Sequence, residues 1–373
     1  MIKISPLKAL QPGKDIFDLM ISDQVHGKVH KNEQLSFEDL INLFGCPLDD
    51  RPAIYVYEFH GEFGVMRGIW AATDLSRTPV DAIKRHEETV SSKVESLKID
   101  RKNKATQKSP ILLVYKKDKA LDALIDFVVR SRKPLASEWS QMEHFLYQVL
   151  DEDVIEKFVT EFMKLDAVYL ADGHHRLEAA CSLQQNTPQQ ISSLFVSADV
   201  ISIGAFHRMV SGADISYALL MEKLKAYYYI SKIPNNKAYK PDQKNRLGLC
   251  FKGEWYQLDL NKASMALSAV PDTVILQDKI LSAALGINNP KEDERLTYFP
   301  DCKWPQFLAA LNHDETSIGF SLFPMTADAF ITAAEMGEFL PPKSTWIEPK
   351  IPQGFMATST VAITAKGEPV RVN

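Results

Sequence analysis

The sequence predicts a mixed α+β fold made of two domains. Segments rich in β-branched and aromatic residues alternate with helical segments through the first half of the chain. A polar stretch, NNKAYKPDQKN (235–245), then interrupts the pattern as a loop or boundary. With 373 residues, 45% of them hydrophobic, the chain is long enough for two domains. We therefore predict a core domain over residues 1–210 and a second α+β subdomain over 211–373, whose C-terminal PPKST segment returns to the core.

Strands are predicted where short apolar runs lie between turn signals. AIYVYEF and VMRGIWAATDL, joined through HGEFG, predict a hairpin between residues 52 and 75. PILLVYK (110–116), DAVYLAD (166–172) and SLFVSADVIS (193–202) each read as a strand. RLGLCFKGEWYQLDLN (246–261) predicts a second hairpin around a glycine turn.

Helices are predicted where apolar residues recur at three- and four-residue intervals. This pattern covers residues 120–130 and 138–165, and HHRLEAACSLQQ (174–185) follows the DAVYLAD strand. The charged stretch 81–108 is predicted to be mostly helical. The tail FLPPKSTWIEPKIPQG is rich in proline, which predicts an extended segment rather than a helix.

Charge and cysteine content favour an ordinary intracellular protein. Forty-three Lys and Arg against 48 Asp and Glu give a net charge of −5, which does not favour nucleic-acid binding. The four cysteines lie far apart without a CxxC pair, so neither a disulfide framework nor a zinc ribbon is indicated. No signal-peptide core and no membrane-spanning run is present. We expect a cytoplasmic protein that does not enter a membrane.

The richest cluster of ionisable residues is YLADGHHRLEAA (169–180), at the junction of a predicted strand and helix. The first turn of a helix offers unpaired N–H groups and a partial positive charge that attract phosphate. Asp172 is a candidate base or metal ligand, Gly173 permits a close turn, His174 and His175 titrate near neutral pH, and Arg176 is an anion clamp. The alternative is a simple helix cap, with Asp172 capping and the other groups solvated.

A second cluster, IKRHEET (83–89), contributes His86 and Glu87, with Arg101 downstream. Such a charge run is usually a solvated helix face, and one histidine with one glutamate proves little by itself. His207 and Arg208 repeat the theme of a histidine beside an arginine after an apolar strand, although a buried, hydrogen-bonded histidine explains them equally well.

A third cluster is PPKSTWIEPK, near the end of the chain. Two lysines and two hydroxyl residues on an extended segment fit a phosphate site, or a decorated surface loop. The candidates are Lys343, Ser344, Thr345 and Lys350.

In this order, the segments resemble a bacterial and archaeal family catalogued as domain of unknown function 1015. The resemblance runs through ISPLKAL, PAIYVYEF, IKRHEET with its downstream DR, LADGHHRLEAA, FHRMV and PPKSTWIEPKIPQGF, and so covers nearly the whole chain. The strand followed by DGHHR is similar to the G-x-x-R signature of the ParB and sulfiredoxin superfamily. That resemblance implies a ParB/sulfiredoxin-like core that binds a nucleotide at the turn.

Within that superfamily the motif is most similar to that of the free-serine kinases, DGH-x-R. The resemblance implies Asp172, His174 and Arg176 as catalytic residues of a phosphotransferase, or of a phosphohydrolase working in reverse. The substrate would be a small polar metabolite such as serine or phosphoserine, and the cofactors ATP or ADP with Mg²⁺, held at Asp172 and Glu87. The cofactor-binding candidates are Gly173, His175, Arg176, His86, Glu87, Arg101, His207, Arg208, Lys343, Ser344, Thr345 and Lys350.

One departure from the family pattern affects this expectation. Typical members carry a Pro-Tyr-Asp segment after the first strand, whereas this chain reads DIFDLMISDQVHGKVH there. The departure indicates a changed substrate or a loss of activity with the phosphate-binding core retained.

Two other classes of function remain as alternatives. One is a nucleotide-responsive, ParB-like regulator that contacts DNA, against which stand the negative charge and the lack of an evident helix-turn-helix. The other is a metal-dependent hydrolase. The adjacent His174 and His175 point to different sides of a regular backbone, which disfavours a shared metal.

Overall fold

The structure is a computed structural model that describes residues 1–10, 49–61, 64–104, 106–107, 109–135, 138–139, 142–184, 189–314, 316–348, 350–351 and 355–359. The chain divides into two compact units, one formed by Met1–Ile201 with Pro349–Asn373 and the other by Ser202–Glu348. The predicted mixed α+β class is confirmed. The predicted boundary after residue 210 differs from this division, because the strand Phe206–Val210 lies in the second unit and the chain from Pro349 lies in the first.

The first unit combines strands and helices in alternation. Its strands up to the division are β1 (Ile4–Ser5), β2 (Ala9–Leu10), β3 (Ile54–Gly61), β4 (Gly64–Asp74), β5 (Ile83–Lys84), β6 (Thr106–Gln107), β7 (Ile111–Tyr115), β8 (Glu138–Trp139), β9 (Met142–Val149), β10 (Val168–Asp172) and β11 (Gln190–Ser197). Its helices are α1 (Ser91–Lys104), α2 (Lys119–Ser131), α3 (Glu152–Lys164) and α4 (His174–Leu183). A 3₁₀ turn spans Val80–Ala82.

A mixed sheet organises this unit and determines where the DGHHR motif lies. Among the described residues its strand order is β5-β10-β7-β11-β4-β3-β9-β8, with β1 added on β4. β10 pairs parallel with β5 and antiparallel with β7, and β11 pairs parallel with β7. β10 therefore lies between β5 and β7, and the IKRHEET segment, whose first two residues form β5, lies beside the strand that leads to the DGHHR motif.

Apolar faces of α2 and α3 cover the sheet and form the core. Leu121, Ile125 and Val128 of α2 are buried, as are Phe158 and Phe162 of α3. These side chains belong to one cluster with the inward residues of the sheet strands. Apolar residues recur at intervals of three and four in both helices, and this spacing places the apolar side chains on one helix face, toward the sheet.

The sequence-based expectation of a continuous helical region over 138–165 is wrong in its first half. Residues Met142–Val149 form β9, which pairs antiparallel with β3, and the helix α3 begins only at Glu152. A short apolar run of this length fits both periods, and pairing with the available edge of β3 selects the strand. The predicted 52–75 hairpin, the strands at 110–116 and 166–172, and the helix at 120–130 are confirmed.

The second unit contains the strands β12 (Ser202–Gly204), β13 (Phe206–Val210), β14 (Tyr228–Lys232), β15 (Arg246–Phe251), β16 (Glu254–Leu260), β17 (Leu296–Pro300), β18 (Ile318–Leu322) and β19 (Trp346–Glu348). Its helices are α5 (Tyr217–Lys225), α6 (Asp272–Ile275), which continues as a π-helix over Leu276–Ser282, α7 (Trp304–His313) and α8 (Ala327–Met336). Short 3₁₀ segments cover Pro234–Asn236, Lys262–Ala269 and Asp301–Lys303.

Among the described residues, a six-stranded antiparallel sheet in the order β14-β16-β15-β18-β13-β17 carries this unit. The predicted hairpin at 246–261 is confirmed as β15 and β16. Its turn places both Lys252 (φ 50°) and Gly253 (φ 73°) in the left-handed region. Two positive φ angles match the right-handed twist of the flanking strands, as in a type I′ turn.

The last described strand, β20 (Ala357–Ser359), pairs with β2 and β6 in the first unit. The segment DIFDLMISDQVHGKVH, where the family pattern is altered, lies outside the described residues. Across the part of the chain that is described, no helix has the length and apolar character needed to cross a membrane.

Candidate functional site

The DGHHR motif forms a tight junction between β10 and α4. Asp172 is the last residue of β10, Gly173 is the N-terminal cap, and α4 begins at His174. The ladder between β10 and β7 is irregular between Leu170 and Asp172, so two residues of β10 oppose one residue of β7. A bulge of this kind redirects side chains, and here Asp172 still pairs with Leu112 at the end of the strand while 47% of its side chain is exposed.

The backbone conformation and the close neighbours of Gly173 both favour glycine at this position. Its φ of 96° and ψ of 26° lie in a region that residues with a Cβ rarely adopt. A Cβ at this position would lie 2.7 Å from Ile111 Cγ2 and 3.1 Å from both Nε and Nη2 of Arg176. The glycine therefore lets the arginine side chain fold back over the turn.

Two cations, Arg176 and Lys350, contact the carboxylate of Asp172. Arg176 Nη2 donates to Asp172 Oδ2 at 2.5 Å, and Lys350 Nζ lies 3.6 Å from Asp172 Oδ1. Burial lowers the pKa of the Arg176 guanidinium, while the Asp172 carboxylate raises it. The Asp172 side chain remains 47% exposed, so this charged group faces solvent.

The start of α4 has the properties of an anion site. Leu177 N–H bonds to Gly173 O, and no side chain caps the N-terminus because Gly173 has none. The first N–H groups of a helix have no acceptors within the helix, and the helix dipole adds a partial positive charge there. With Arg176 and Lys350 nearby, the turn is suited to bind phosphate oxygens.

Behind the turn, His174 and His86 form a buried pair. Their rings are 4.7 Å apart between centroids, edge to face, and only 7% of His174 and 1% of His86 are exposed. His174 Nε2 is buried and has no hydrogen-bond partner. Burial first, and then the neighbouring basic groups His86 and Arg85, hold the pKa of His174 well below its ordinary value. His174 is therefore a neutral imidazole with an unused nitrogen.

His86 is fixed by the strand that leads to the motif. Its Nδ1 lies 3.0 Å from Leu170 O, and because a carbonyl only accepts, Nδ1 carries the proton. Burial lowers the pKa of His86 to about 4, although the bond to Leu170 acts in the opposite direction. The His86 ring is thus neutral and held in one orientation against His174.

Two more contacts join IKRHEET to the first half of α4. The backbone N–H of Val90, the residue after IKRHEET, donates to His175 Nε2 at 3.0 Å. This nitrogen of His175, a predicted cofactor-binding residue, is therefore a hydrogen-bond acceptor for the backbone. Arg85 Nη1 donates to Glu178 Oε2. Sequence reasoning passed over Arg85 and Glu178, since only the spatial adjacency of the two segments reveals the pair. The structure therefore brings the first two sequence clusters together.

Glu87, predicted as a metal ligand with Asp172, is half-buried in the same segment. Within the described ranges, no group of three or more His, Cys, Asp or Glu residues is arranged to hold a metal ion. Magnesium usually needs only one or two protein carboxylates beside substrate phosphates and water.

Arg101, from the downstream DR, engages the beginning of β11. Its Nε donates to Gln189 Oε1 at 2.9 Å, and its Nη2 donates to Gln190 O. Burial lowers the pKa of this arginine to about 10. These contacts join α1 to the sheet, which is the role that the structure gives Arg101.

His207 and Arg208 are fully buried in β13 of the second unit. His207 Nε2 donates to Asp301 Oδ1 at 2.9 Å, and its Nδ1 accepts from Leu322 N–H at 3.3 Å. His207 is therefore a buried histidine with both ring nitrogens hydrogen-bonded, which is the alternative to a binding role given in the sequence analysis. Burial lowers the pKa of His207, although the hydrogen bond to Asp301 acts in the opposite direction.

Arg208 donates to backbone carbonyl oxygens. Its Nη1 lies 3.1 Å from Phe206 O, and its Nη2 lies 3.5 Å from both Pro342 O and Lys343 O. Its guanidinium carbon also lies 5.5 Å from the centre of the Tyr298 ring. Nε has no partner, and burial lowers the pKa of Arg208 to about 10. Arg208 thereby holds the PPKST segment in place.

The rest of the PPKST cluster also belongs to the second unit. Lys343 is exposed, with a φ of 57° and its Nζ 5.7 Å from the centre of the Phe206 ring. Ser344 is buried and donates to Pro341 O at 2.6 Å, and Thr345 is half-buried. Of the four predicted residues in this cluster, Lys350 is the one that the structure brings to the DGHHR turn.

Comparison with protein families gives one match over most of the chain. The model of the family described as "Protein of unknown function (DUF1015)" matches residues 46–280. This range includes β3 to α6 and contains the whole strand–glycine–helix junction. The comparison with curated proteins finds no match.

Several solved structures are similar at low identity. A conserved hypothetical protein from Pyrococcus furiosus is 14% identical, with a TM-score of 0.39, over 78% of this chain and 95% of that chain. C-terminally truncated SbnI from Staphylococcus aureus is 12% identical, with a TM-score of 0.42, over 73% and 81%. A free serine kinase in complex with AMP is 13% identical, with a TM-score of 0.39, over 82% and 93%. Values this low do not indicate what this chain binds.

Proposed function

This chain belongs to the DUF1015 family, and we propose that it is a nucleotide-dependent phosphotransferase acting on the hydroxyl group of a small polar metabolite. A serine-like substrate fits the similarity of DGHHR to the free-serine kinase motif. Transfer in the opposite direction, from phosphoserine to a nucleotide or to water, uses the same groups.

One observation carries this proposal: the uncapped start of α4 and two cations surround a solvent-facing carboxylate. Arg176 and Lys350 both contact Asp172, and the cap Gly173 leaves the helix N–H groups open from that side. Phosphoryl transfer depends mainly on positioning and on stabilising negative charge that spreads over the phosphate oxygens. The helix start and the two cations supply that stabilisation, and ATP or ADP is the phosphate donor we expect.

The transfer needs a nucleophile and a proton acceptor. The substrate hydroxyl oxygen bonds to the terminal phosphorus, and the bond from phosphorus to the bridging oxygen breaks, its electron pair leaving with the nucleotide. The hydroxyl proton passes to the Asp172 carboxylate, which faces solvent, and His174 Nε2, which is buried and has no partner, is the alternative acceptor once its ring turns outward. His86 holds the His174 ring by edge contact and acts as a positioning residue.

Mg²⁺ fits this site through carboxylate oxygens. Asp172 is partly exposed and Glu87 lies in the adjoining segment, so these two side chains would hold the ion beside the phosphates. When bound, the ion neutralises phosphate charge that Arg176 and Lys350 only partly offset.

A direct assay tests the proposal with the purified full-length chain. We expect phosphoserine to form from serine with Mg²⁺ and either ATP or ADP, measured by mass spectrometry. Asp172→Asn and His174→Gln should each lower the rate at least roughly a hundredfold, the usual scale of a lost acid–base group. Wild-type rates in both variants would overturn the assignment.

Matched substitutions elsewhere in the same unit control for charge and shape. Asp153→Asn, at an exposed position of α3, and His60→Gln, on β3, change the same residue types away from the turn. Both should keep the wild-type rate. A rate that falls equally in these controls would show that the loss is not specific to the turn.

A further inference from the structure

The segment between β5 and α1 carries Glu87, and hydrogen bonds fix this segment on both sides of that residue. On the N-terminal side, His86 Nδ1 donates to Leu170 O of β10 at 3.0 Å. On the C-terminal side, Val90 N–H donates to His175 Nε2 of α4 at 3.0 Å. Glu87 is therefore held between one bond to the strand and one bond to the helix of the DGHHR junction.

Val90 lies directly before α1, and both of its backbone polar groups are used. Its carbonyl oxygen accepts from the N–H groups of Lys93 and Val94, in the first turn of the helix, at 3.1 Å each. The N–H groups at the start of a helix have no acceptor within the helix, so the N–H of Val90 needs an acceptor from elsewhere. His175 supplies that acceptor and thereby ties the start of α1 to α4.

The same bond determines what the His175 ring can do. A ring nitrogen that accepts a hydrogen bond carries no proton, so the proton of this imidazole is on Nδ1. The lone pair of Nε2 is occupied by the backbone of the chain. Nε2 therefore serves the position of the IKRHEET segment rather than a phosphate or a metal ion.

We propose that His175 is a positioning residue that fixes Glu87 next to the DGHHR turn and so sets the affinity of the site for Mg²⁺. This inference rests on the proposed function, in which Asp172 and Glu87 hold the ion. A carboxylate on a loose segment must be ordered when the ion binds, which costs conformational entropy, whereas a segment that is already fixed avoids that cost. His175 acts through the backbone of Val90, without contacting the reacting atoms.

Two substitutions separate the hydrogen bond from the ring. His175→Gln keeps an acceptor near the position of Nε2, and His175→Phe keeps the ring shape without an acceptor. We expect His175→Phe to raise the Mg²⁺ concentration for half-maximal rate roughly three- to tenfold, the scale of one lost hydrogen bond. Its kcat at saturating Mg²⁺ should stay within about twofold of the wild type, because the reacting groups are unchanged.

His175→Gln should behave as the wild type, and so should the control His313→Phe, at an exposed histidine that ends α7. Equal shifts in His175→Gln and His175→Phe would assign the effect to the ring and overturn the proposal. A lower kcat in His175→Phe with an unchanged Mg²⁺ requirement would overturn it as well.

Two readouts that do not depend on turnover keep this inference distinguishable from the proposed function. Without ligands, the Val90 amide should exchange its hydrogen faster in His175→Phe than in the wild type or His175→Gln. With ATP, His175→Phe should need more Mg²⁺ for the same rise in Tm. If the wild type shows neither turnover nor a Mg²⁺-dependent rise, the proposed function fails and this inference with it. If the wild type shows both and His175→Phe has the same Mg²⁺ dependence, only the role of His175 is overturned, even where its amide exchange is faster.

Discussion

Arg176 donates to Asp172 at 2.5 Å across Gly173, so the two opposite charges of the DGHHR motif are joined on the outer side of the turn. Asp172 ends β10 and Arg176 lies in the first turn of α4, so the contact joins the strand to the helix across the turn. Arg176 is thereby held over the start of α4, where a phosphate would bind. Two predictions concern this turn, a third concerns His86 behind it, and a fourth concerns Arg208 in the second unit.

The first prediction concerns the charge of Arg176. Arg176→Gln should abolish the Mg²⁺-dependent rise in Tm that we expect with ATP or ADP, because the variant lacks a charged, forked donor for phosphate. Arg176→Lys should retain part of the rise, since it keeps the charge. A thermal-shift titration measures both, with Arg77→Gln, a 78% exposed arginine, as the control. A full rise in Arg176→Gln would remove the arginine from the nucleotide site.

The second prediction separates two costs at Gly173. Gly173→Ala should destabilise the fold by about 2–4 kcal/mol, through its positive φ and through contact with Ile111 and Arg176. Gly64→Ala is the matched control, with a φ of 111° and no atom within 4 Å of the added Cβ. Urea unfolding should show a smaller loss for Gly64→Ala. Equal losses would mean that the close contacts at Gly173 relax at no cost.

The third prediction is a pH dependence caused by His86. The pKa of His86 is lowered from 6.5 to about 4 in the folded protein, so between these pH values only the unfolded state gains the proton. The free energy of unfolding contributed by this group is therefore present above pH 6.5 and falls as the pH drops toward 4, by at most about 1.4 kcal/mol per pH unit. His86→Asn, which keeps a donor for Leu170 O, should make the decline shallower in urea unfolding at several pH values.

Asp272 provides a control of opposite sign for that experiment. Its pKa is raised from 3.8 to about 6, so the folded state gains a proton first and stability rises as the pH falls through this range. Asp272→Asn should therefore make the decline steeper than in the wild type. If the two variants change the slope in the same direction, the assignment of either group is wrong.

The fourth prediction concerns Arg208, which is buried with carbonyl partners. Arg208→Ala should cost about 2–4 kcal/mol, because it leaves a cavity and removes the contacts to Phe206, Pro342 and Lys343. Arg208→Met fills most of that space without burying a charge, so it should cost at least about 1 kcal/mol less. Chemical denaturation compares the two. Equal costs would show that the hydrogen bonds, and not the packing, hold the PPKST segment.

Sequence patterns predicted the local elements because those elements depend on nearby residues. The two hairpins follow from short apolar runs around glycine turns, and the DGHHR junction follows from a strand that meets a helix at a glycine. The order of the motifs identified the family, which the match over residues 46–280 confirms. The strand β9 was read as helix because its short apolar run fits both periods, and only pairing with β3 distinguishes them.

The sequence by itself determined the family, the two hairpins and the residues of the turn. The tertiary structure decided which distant residues meet there: Lys350 reaches Asp172, and His86 lies against His174. It also joined Arg101 to the residues at the start of β11 and left Thr273 Oγ1 buried without a partner. The physical reason is that periodicity and turn chemistry act over a few residues, whereas burial, pKa shifts and ion pairs arise from packing between segments far apart in the chain.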